Sequence, residues 1–175
     1  DRDNEAAAEA LATTALESFN GSVEPADALR PAGAFLLAIK NSDALRNAVT
    51  ELYRSAYADV EGLESLLSEA GVAGGRPPRR ALRTMDVCLP LQEGACLTHR
   101  HEDAAVRVES VDRDSWTIDV HDGKRTLSLS AVELADSYAP ADEDDFSVMA
   151  RFDPPRLTAL LQDDPGGVVE GILRG

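Results

Sequence analysis

The chain has 175 residues, 43% of them hydrophobic, and a formal net charge of −15, so it can build a real core and disorder is not its default. Residues 1–75 hold thirteen acids against five bases, 76–130 nine against nine, and 131–175 ten against three. Such a surface repels bare nucleic acid at long range and argues against a generic DNA or RNA wrapper.

Asp1 to Asn20 reads as a first helix, with Leu11, Ala15, Leu16 and Phe19 at helical spacing, acids at its positive end and Asn20-Gly21 as its stop. Glu24-Pro25 opens a second helical stripe of Leu29, Phe35, Leu36 and Ile39, with Pro31 inside it. Asn41-Ser42-Asp43 caps a third, lined by Leu45, Val49, Leu52, Tyr53 and Tyr57. A fourth runs from about Val60 to Ala70, with Leu63, Leu66 and Leu67 inward and Gly71 as its stop. Four short amphipathic helices predict a helical bundle over residues 1–75. Gly71 to Pro78, with its paired glycines and prolines, reads as a linker, and Arg79 to Leu82 as the beginning of a helical turn.

The second domain is expected over 79–175. Val87 to Gly94 leads into a strand at Ala95–His99. Val106, Val108 and Val111, then Trp116, Ile118 and Val120, then Thr126 to Leu129 follow the period-two alternation of antiparallel strands. Asp112–Ser115 and Asp122-Gly123 break them, the latter suiting a type I′ turn. Short strands with one apolar face must cover that face or curl, which predicts a small SH3- or Tudor-like barrel in an α+β chain. Ser130 to Ala135 reads as a capped turn or short helix, Asp142–Asp145 as a charged loop, and Phe146–Ala150 as a short strand or arm. Asp153-Pro154-Pro155 starts a helix with Leu157, Leu160 and Leu161. Asp164-Pro165 starts a last one with Val168, Val169, Ile172 and Leu173.

Several clusters carry chemistry-bearing residues. His99, His101 and the acids Glu102 and Asp103, with His121 in reach, have the residue types of a metal site. The bland alternative is a solvated strand end. Arg76, Arg79, Arg80 and Arg83 place four guanidinium groups in eight residues of an acidic chain, a patch that could grip an acidic protein surface. Lys124 and Arg125 join them as candidate partner-binding residues at a strand turn. Trp116 is either core or an exposed docking platform. The run Asp142–Asp145 resembles a divalent-ion cluster, but four consecutive acids rarely converge on one point. Cys88 and Cys96 fit no metal or redox spacing and read as core thiols in a reducing compartment. No nucleophile elbow, phosphate loop or dinucleotide fingerprint is present, so neither catalysis nor a cofactor is expected. No apolar run reaches the ~18 residues of a membrane span. The first residue is Asp rather than Met, which reads as a processed end or a fragment.

Between Tyr53 and Arg174 a further pattern is visible. It comprises Ala81-Leu82-Arg83, Leu91-Gln92-Glu93-Gly94, Leu97-Thr98-His99-Arg100, Val108-Glu109-Ser110-Val111-Asp112 and Leu127-Ser128-Leu129. It continues through Ala135-Asp136-Ser137-Tyr138, Asp144-Asp145-Phe146, Phe152-Asp153-Pro154-Pro155-Arg156-Leu157 and Asp163-Asp164-Pro165. This pattern of small, common residues covers about two thirds of the chain. It resembles the accessory region of extended bacterial Gre-type transcription elongation factors, where a helical region and an SH3-like barrel precede the coiled-coil module. The resemblance implies a cytoplasmic, non-catalytic docking module with RNA polymerase as partner. One departure is decisive for chemistry. Gre factors act through a long helical hairpin, roughly thirty residues per arm at 1.5 Å each, and no helix pattern here exceeds about twenty. The family's metal-holding acids are therefore not carried onto Asp142–Asp145. Two rival classes stay open: a metal-dependent hydrolase using His99 and His101, and an adaptor in a phage or secretion assembly.

Overall fold

The computed structural model describes residues 2–19, 23–39, 42–163 and 166. The Asn20-Gly21 stop, Asn41 and the helix expected from Asp164-Pro165 through Leu173 lie outside them. So do the side chains of residues 2–5, of Ser18 and of Phe19. The chain is α+β and divides into two compact units, residues 1–86 with Arg113–Trp116, and residues 87–112 with 117–175.

The first unit is helical. It holds α1 (Arg2–Phe19), α2 (Pro25–Ala38), α3 (Asp43–Ala56), α4 (Leu63–Ala70) and most of α5 (Pro78–Cys88). Helices α1, α2 and α3 pack on one another, and α4 packs on α3. The stripe on α3 is as its spacing predicts, with Leu45, Val49 and Tyr53 buried. The Ser42 hydroxyl accepts from the Leu45 amide at 3.1 Å and donates to Glu9 at 2.6 Å, so one side chain caps α3 and ties it to α1. On α1 the inward face differs from the expected one. Ala12 and Leu16 are buried, whereas Leu11 is 75% exposed. In an Ala-rich helix the small residues mark the close-packed side, and a large apolar residue is a poor guide to it.

The expected linker is ordered structure. Val72 is fully buried, and Gly71 ends α4 in the left-handed region at φ 69°. Arg46, itself buried on α3, donates to the carbonyls of Val72 at 3.1 Å and Arg76 at 3.0 Å, with a longer contact to Gly71 at 3.5 Å. A guanidinium is well suited to this because its planar fork serves several acceptors at once. Helix α5 follows directly; the helical turn expected to begin at Arg79–Leu82 is part of a helix that runs on to Cys88, with Ala81, Thr84 and Met85 buried.

The second unit holds β1 (Cys96–His99), β2 (Ala105–Asp112), β3 (Thr117–His121), β4 (Thr126–Ser130), α6 (Ala131–Ser137), β5 (Tyr138–Ala141), α7 (Phe146–Phe152) and α8 (Pro154–Asp163). The strands form one open antiparallel sheet in the order β4-β3-β2-β1-β5, with β4 and β5 as its edges. Alternation sets its faces. Leu97, Val106, Val108, Ile118 and Val120 are buried on one side, while the row Ala141, Cys96, Arg107, His121 and Thr126 crosses all five strands on the other. Helix α6 begins with a full capping box between Ser130 and Glu133 and packs on β3, β4 and β5. Strand β5 escapes a periodicity reading because Tyr138-Ala139-Pro140-Ala141 is short and contains proline.

Two local expectations are corrected. Phe146–Ala150 is the start of helix α7, not a strand. The Asp145 carboxylate caps it by accepting from the Ser147 amide at 2.9 Å. Val148 and Phe152, at helical spacing, pack against Cys96 and Ala105. The β3–β4 turn is not type I′. Of its two central residues only Gly123 has positive φ, at 88°, which fits the type II′ requirement of glycine at the first central position.

Candidate docking surface

Helix α5 presents the arginines. Its residues Pro78, Ala81, Thr84 and Met85 are buried on one face, while Arg79 and Arg80 are exposed and Arg83 is half-exposed. The spacings 79–83 and 80–83 are i,i+4 and i,i+3, which put the three guanidinium groups on one face. Arg76 lies just before the helix and is half-buried, its carbonyl taken by Arg46. Arg79 and Arg83 make no hydrogen bond or ion pair among the described residues. Arg54, by comparison, is gripped by Glu64 and Glu51 at 2.7 and 2.6 Å. At the far end of the arginine face Asp86 has its carboxyl raised above the ordinary range by desolvation. The neighbouring Tyr53 phenol is raised first by burial and then by the charge of Asp86.

Trp116 does not contribute a surface. It is fully buried in the first unit, its indole N–H donates to the Gly62 carbonyl at 2.7 Å, and the Arg113 guanidinium lies 4.6 Å from its ring centroid. The docking-platform expectation for Trp116 is therefore corrected to core. The strand alternation pointed the residue inward, but only the fold reveals that it takes φ 50° and stands one residue before β3.

Lys124 and Arg125 lie at the exposed β3–β4 turn of the second unit. The Asp122 carboxylate accepts from both of their amides, at 2.8 and 2.9 Å. These backbone bonds, Arg125 first and Lys124 second, hold its carboxyl below the usual range. Arg125 Nε is 3.6 Å from the same carboxylate, and the Lys124 ammonium has no ion pair among the described residues.

The histidines share an end of the sheet without forming a donor set. His99 stands edge-on to Tyr138 with centroids 5.2 Å apart, and its Nδ1 accepts the His101 amide at 3.3 Å. His121 Nδ1 accepts the Gly123 amide at 3.0 Å. Among the described residues no three His, Cys, Asp or Glu side chains are placed to hold a metal ion. The acidic run also disperses: Asp145 caps α7 and Asp144 pairs with Arg156. Cys88 and Cys96 are buried free thiols.

Compared with protein-family models, curated proteins and solved structures, the chain gives no match. The site therefore has to be argued from its own chemistry. Among the described residues no helix is long and apolar enough to cross a membrane. What the geometry offers is two guanidinium groups on α5, those of Arg79 and Arg83, without an ion pair among the described residues. Such groups pair bidentately with carboxylates.

Proposed function

We propose that the chain is a non-catalytic docking module of a bacterial transcription elongation factor, acting in the cytoplasm and binding RNA polymerase. The partner comes from the resemblance between Tyr53 and Arg174. The surface comes from one observation: Arg79 and Arg83, on α5 of a chain with net charge −15, have no partner among the described residues. Charges left without partners in so acidic a molecule are best used by an acidic surface elsewhere. A protein partner with mixed charges imposes less long-range repulsion than a polyanion would. The sheet is read as SH3/Tudor-like. A four-strand meander whose fifth strand returns to β1 after a short helix supports that reading.

A titration of labelled full-length chain against core polymerase and against mixed-sequence duplex DNA, both at moderate salt, tests the proposal. Polymerase binding is expected, with Arg79→Glu and Arg80→Glu together weakening it about ten-fold, or roughly 1.4 kcal/mol. Tight DNA binding with no polymerase binding would overturn it.

A further inference from the structure

The two edges of the sheet are chemically unlike, and one of them is left open. In an antiparallel ladder, residues alternate between pairs that exchange both backbone hydrogen bonds and pairs whose N–H and C=O point away from the neighbour. The bond from the Arg100 amide to the Ser137 carbonyl, at 2.8 Å, sets the phase at β5. With the register Thr98 to Ala139 and Cys96 to Ala141, it turns the outward groups of β5 onto Tyr138 and Pro140. Tyr138 already gives its N–H to the Leu134 carbonyl at the end of α6, and Pro140 has none. Edge β5 thus offers no free donor, the ordinary protection of a sheet margin.

Edge β4 lacks that protection. The Asp122 amide donates to the Arg125 carbonyl at 3.0 Å. Through the register Val120 to Leu127 and Ile118 to Leu129, this points the backbones of Thr126, Ser128 and Ser130 outward. Ser130 donates to Glu133 at 3.0 Å within the capping box. Thr126 and Ser128 are exposed, and their backbone groups have no partner beyond β3 among the described residues. The strand Thr-Leu-Ser-Leu-Ser carries no charge, no proline and no bulge, so nothing in it turns a neighbouring strand away. At its leading end stand Lys124, which has no ion pair among the described residues, and Arg125.

We propose that β4 is the docking edge for one short extended segment of a partner protein, paired antiparallel through Thr126 and Ser128. Antiparallel pairing puts that segment's C-terminal end beside Lys124 and Arg125, so this end is acidic. The inference deepens the docking reading above but does not depend on the partner being polymerase. A second copy is the poorer occupant, because two bodies of −15 must approach one another and the Glu133 carboxylate is already committed to its cap.

Three capped peptides test it on the full chain: Val-Thr-Val-Thr-Asp-Asp, Val-Thr-Val-Thr-Lys-Lys and Asp-Asp-Val-Thr-Val-Thr. Amide exchange is followed residue by residue. The first peptide is expected to slow exchange at Thr126 and Ser128 at least ten-fold and to bind at least ten-fold tighter than the other two. Ser128→Pro, at an outward-facing N–H, should abolish the effect while the melting curve stays cooperative. Should that variant fail to fold, Lys124→Glu with Arg125→Glu must reverse the preference to the lysine peptide. Equal binding of all three peptides, protection confined to other strands, or a concentration-dependent dimer protecting these same amides would each overturn the proposal. If the peptides fail while Arg79→Glu with Arg80→Glu still weakens polymerase binding, the edge assignment falls and the docking reading stands.

Discussion

The indole N–H of Trp116 donates to the Gly62 carbonyl at 2.7 Å, fifty-four residues away in sequence. Gly62 is held at φ 70°, and a Cβ there would come within 1.8 Å of the Arg113 carbonyl oxygen. The two residues therefore specify each other: only glycine admits the backbone of Arg113, and that approach buries Trp116 completely. Trp116→Phe removes one of two donors to the Gly62 carbonyl, which keeps the Leu66 amide at 3.0 Å, and should cost about 0.5–1.5 kcal/mol. Trp116→Ala adds a cavity and should cost about 3–5 kcal/mol. Gly62→Ala is expected to be at least as damaging as Trp116→Phe. Urea unfolding followed by tryptophan fluorescence, or by circular dichroism for the Trp116 variants, measures all three. A neutral Gly62→Ala would contradict the close approach.

Arg46 carries the second prediction. Its guanidinium is buried and its removal leaves the Val72 and Arg76 carbonyls without their donor. Arg46→Met keeps most of the volume, so the expected loss of about 2–4 kcal/mol reports the hydrogen bonds. Residues 71–78 should resist limited proteolysis by subtilisin in the wild type and become the first cleavage site in Arg46→Met. Cleavage there at equal rates in both proteins would show that the segment owes nothing to Arg46.

These two cases show what the sequence does and does not display. The α3 stripe, the Gly71 stop and the strands from Ala105 to Ser130 were legible because each is a local period or a local break. Gly71–Pro78 resembled a linker because its glycines and prolines forbid regular structure. They do not forbid order, and the donor that orders them is Arg46, distant in sequence. The identity of the arginine face was legible as four residues in eight, but its geometry needed α5. Only the burial of Ala81, Thr84 and Met85 turns Arg79, Arg80 and Arg83 outward together. An open sheet edge that accepts a partner strand was an expectation from the sequence, but the choice of β4 was not legible, since it depends on the hydrogen-bond phase of a neighbouring strand.

Asp86 gives a pH-dependent prediction. Desolvation raises its folded-state pKa above that of the unfolded chain, so folding favours the protonated acid. Its contribution is fully present below the unfolded pKa and is lost as pH rises through the folded one. At neutral pH the ionised carboxylate opposes folding, and Asp86→Asn should be the more stable protein. Asp86 is exposed by area, so the gain should stay below about 1 kcal/mol. Melting temperatures of the two proteins are expected to differ at pH 7 and to converge near pH 3, below both pKa values. A difference that persists unchanged to pH 3 would assign the effect to shape rather than charge.

The arginine face can be tested for shape as well as sign. Arg79 and Arg83 have no ion pair among the described residues, so replacing both by Lys or both by Glu should leave the melting temperature close to wild type. Partner binding should separate the variants. Glutamate reverses the charge and is expected to weaken polymerase binding about ten-fold or more, equivalent to roughly 1.4 kcal/mol. Lysine keeps the charge but not the planar fork that meets a carboxylate with two parallel bonds. An intermediate loss of about two- to five-fold is therefore expected. Raising the salt should narrow the gap between wild type and the glutamate variant, because exposed pairs are screened over a Debye length of ~10 Å at 0.1 M. If lysine is as damaging as glutamate, the guanidinium geometry dominates and the contact is a fixed bidentate pair. If lysine and glutamate both bind as the wild type does, α5 is not the docking face.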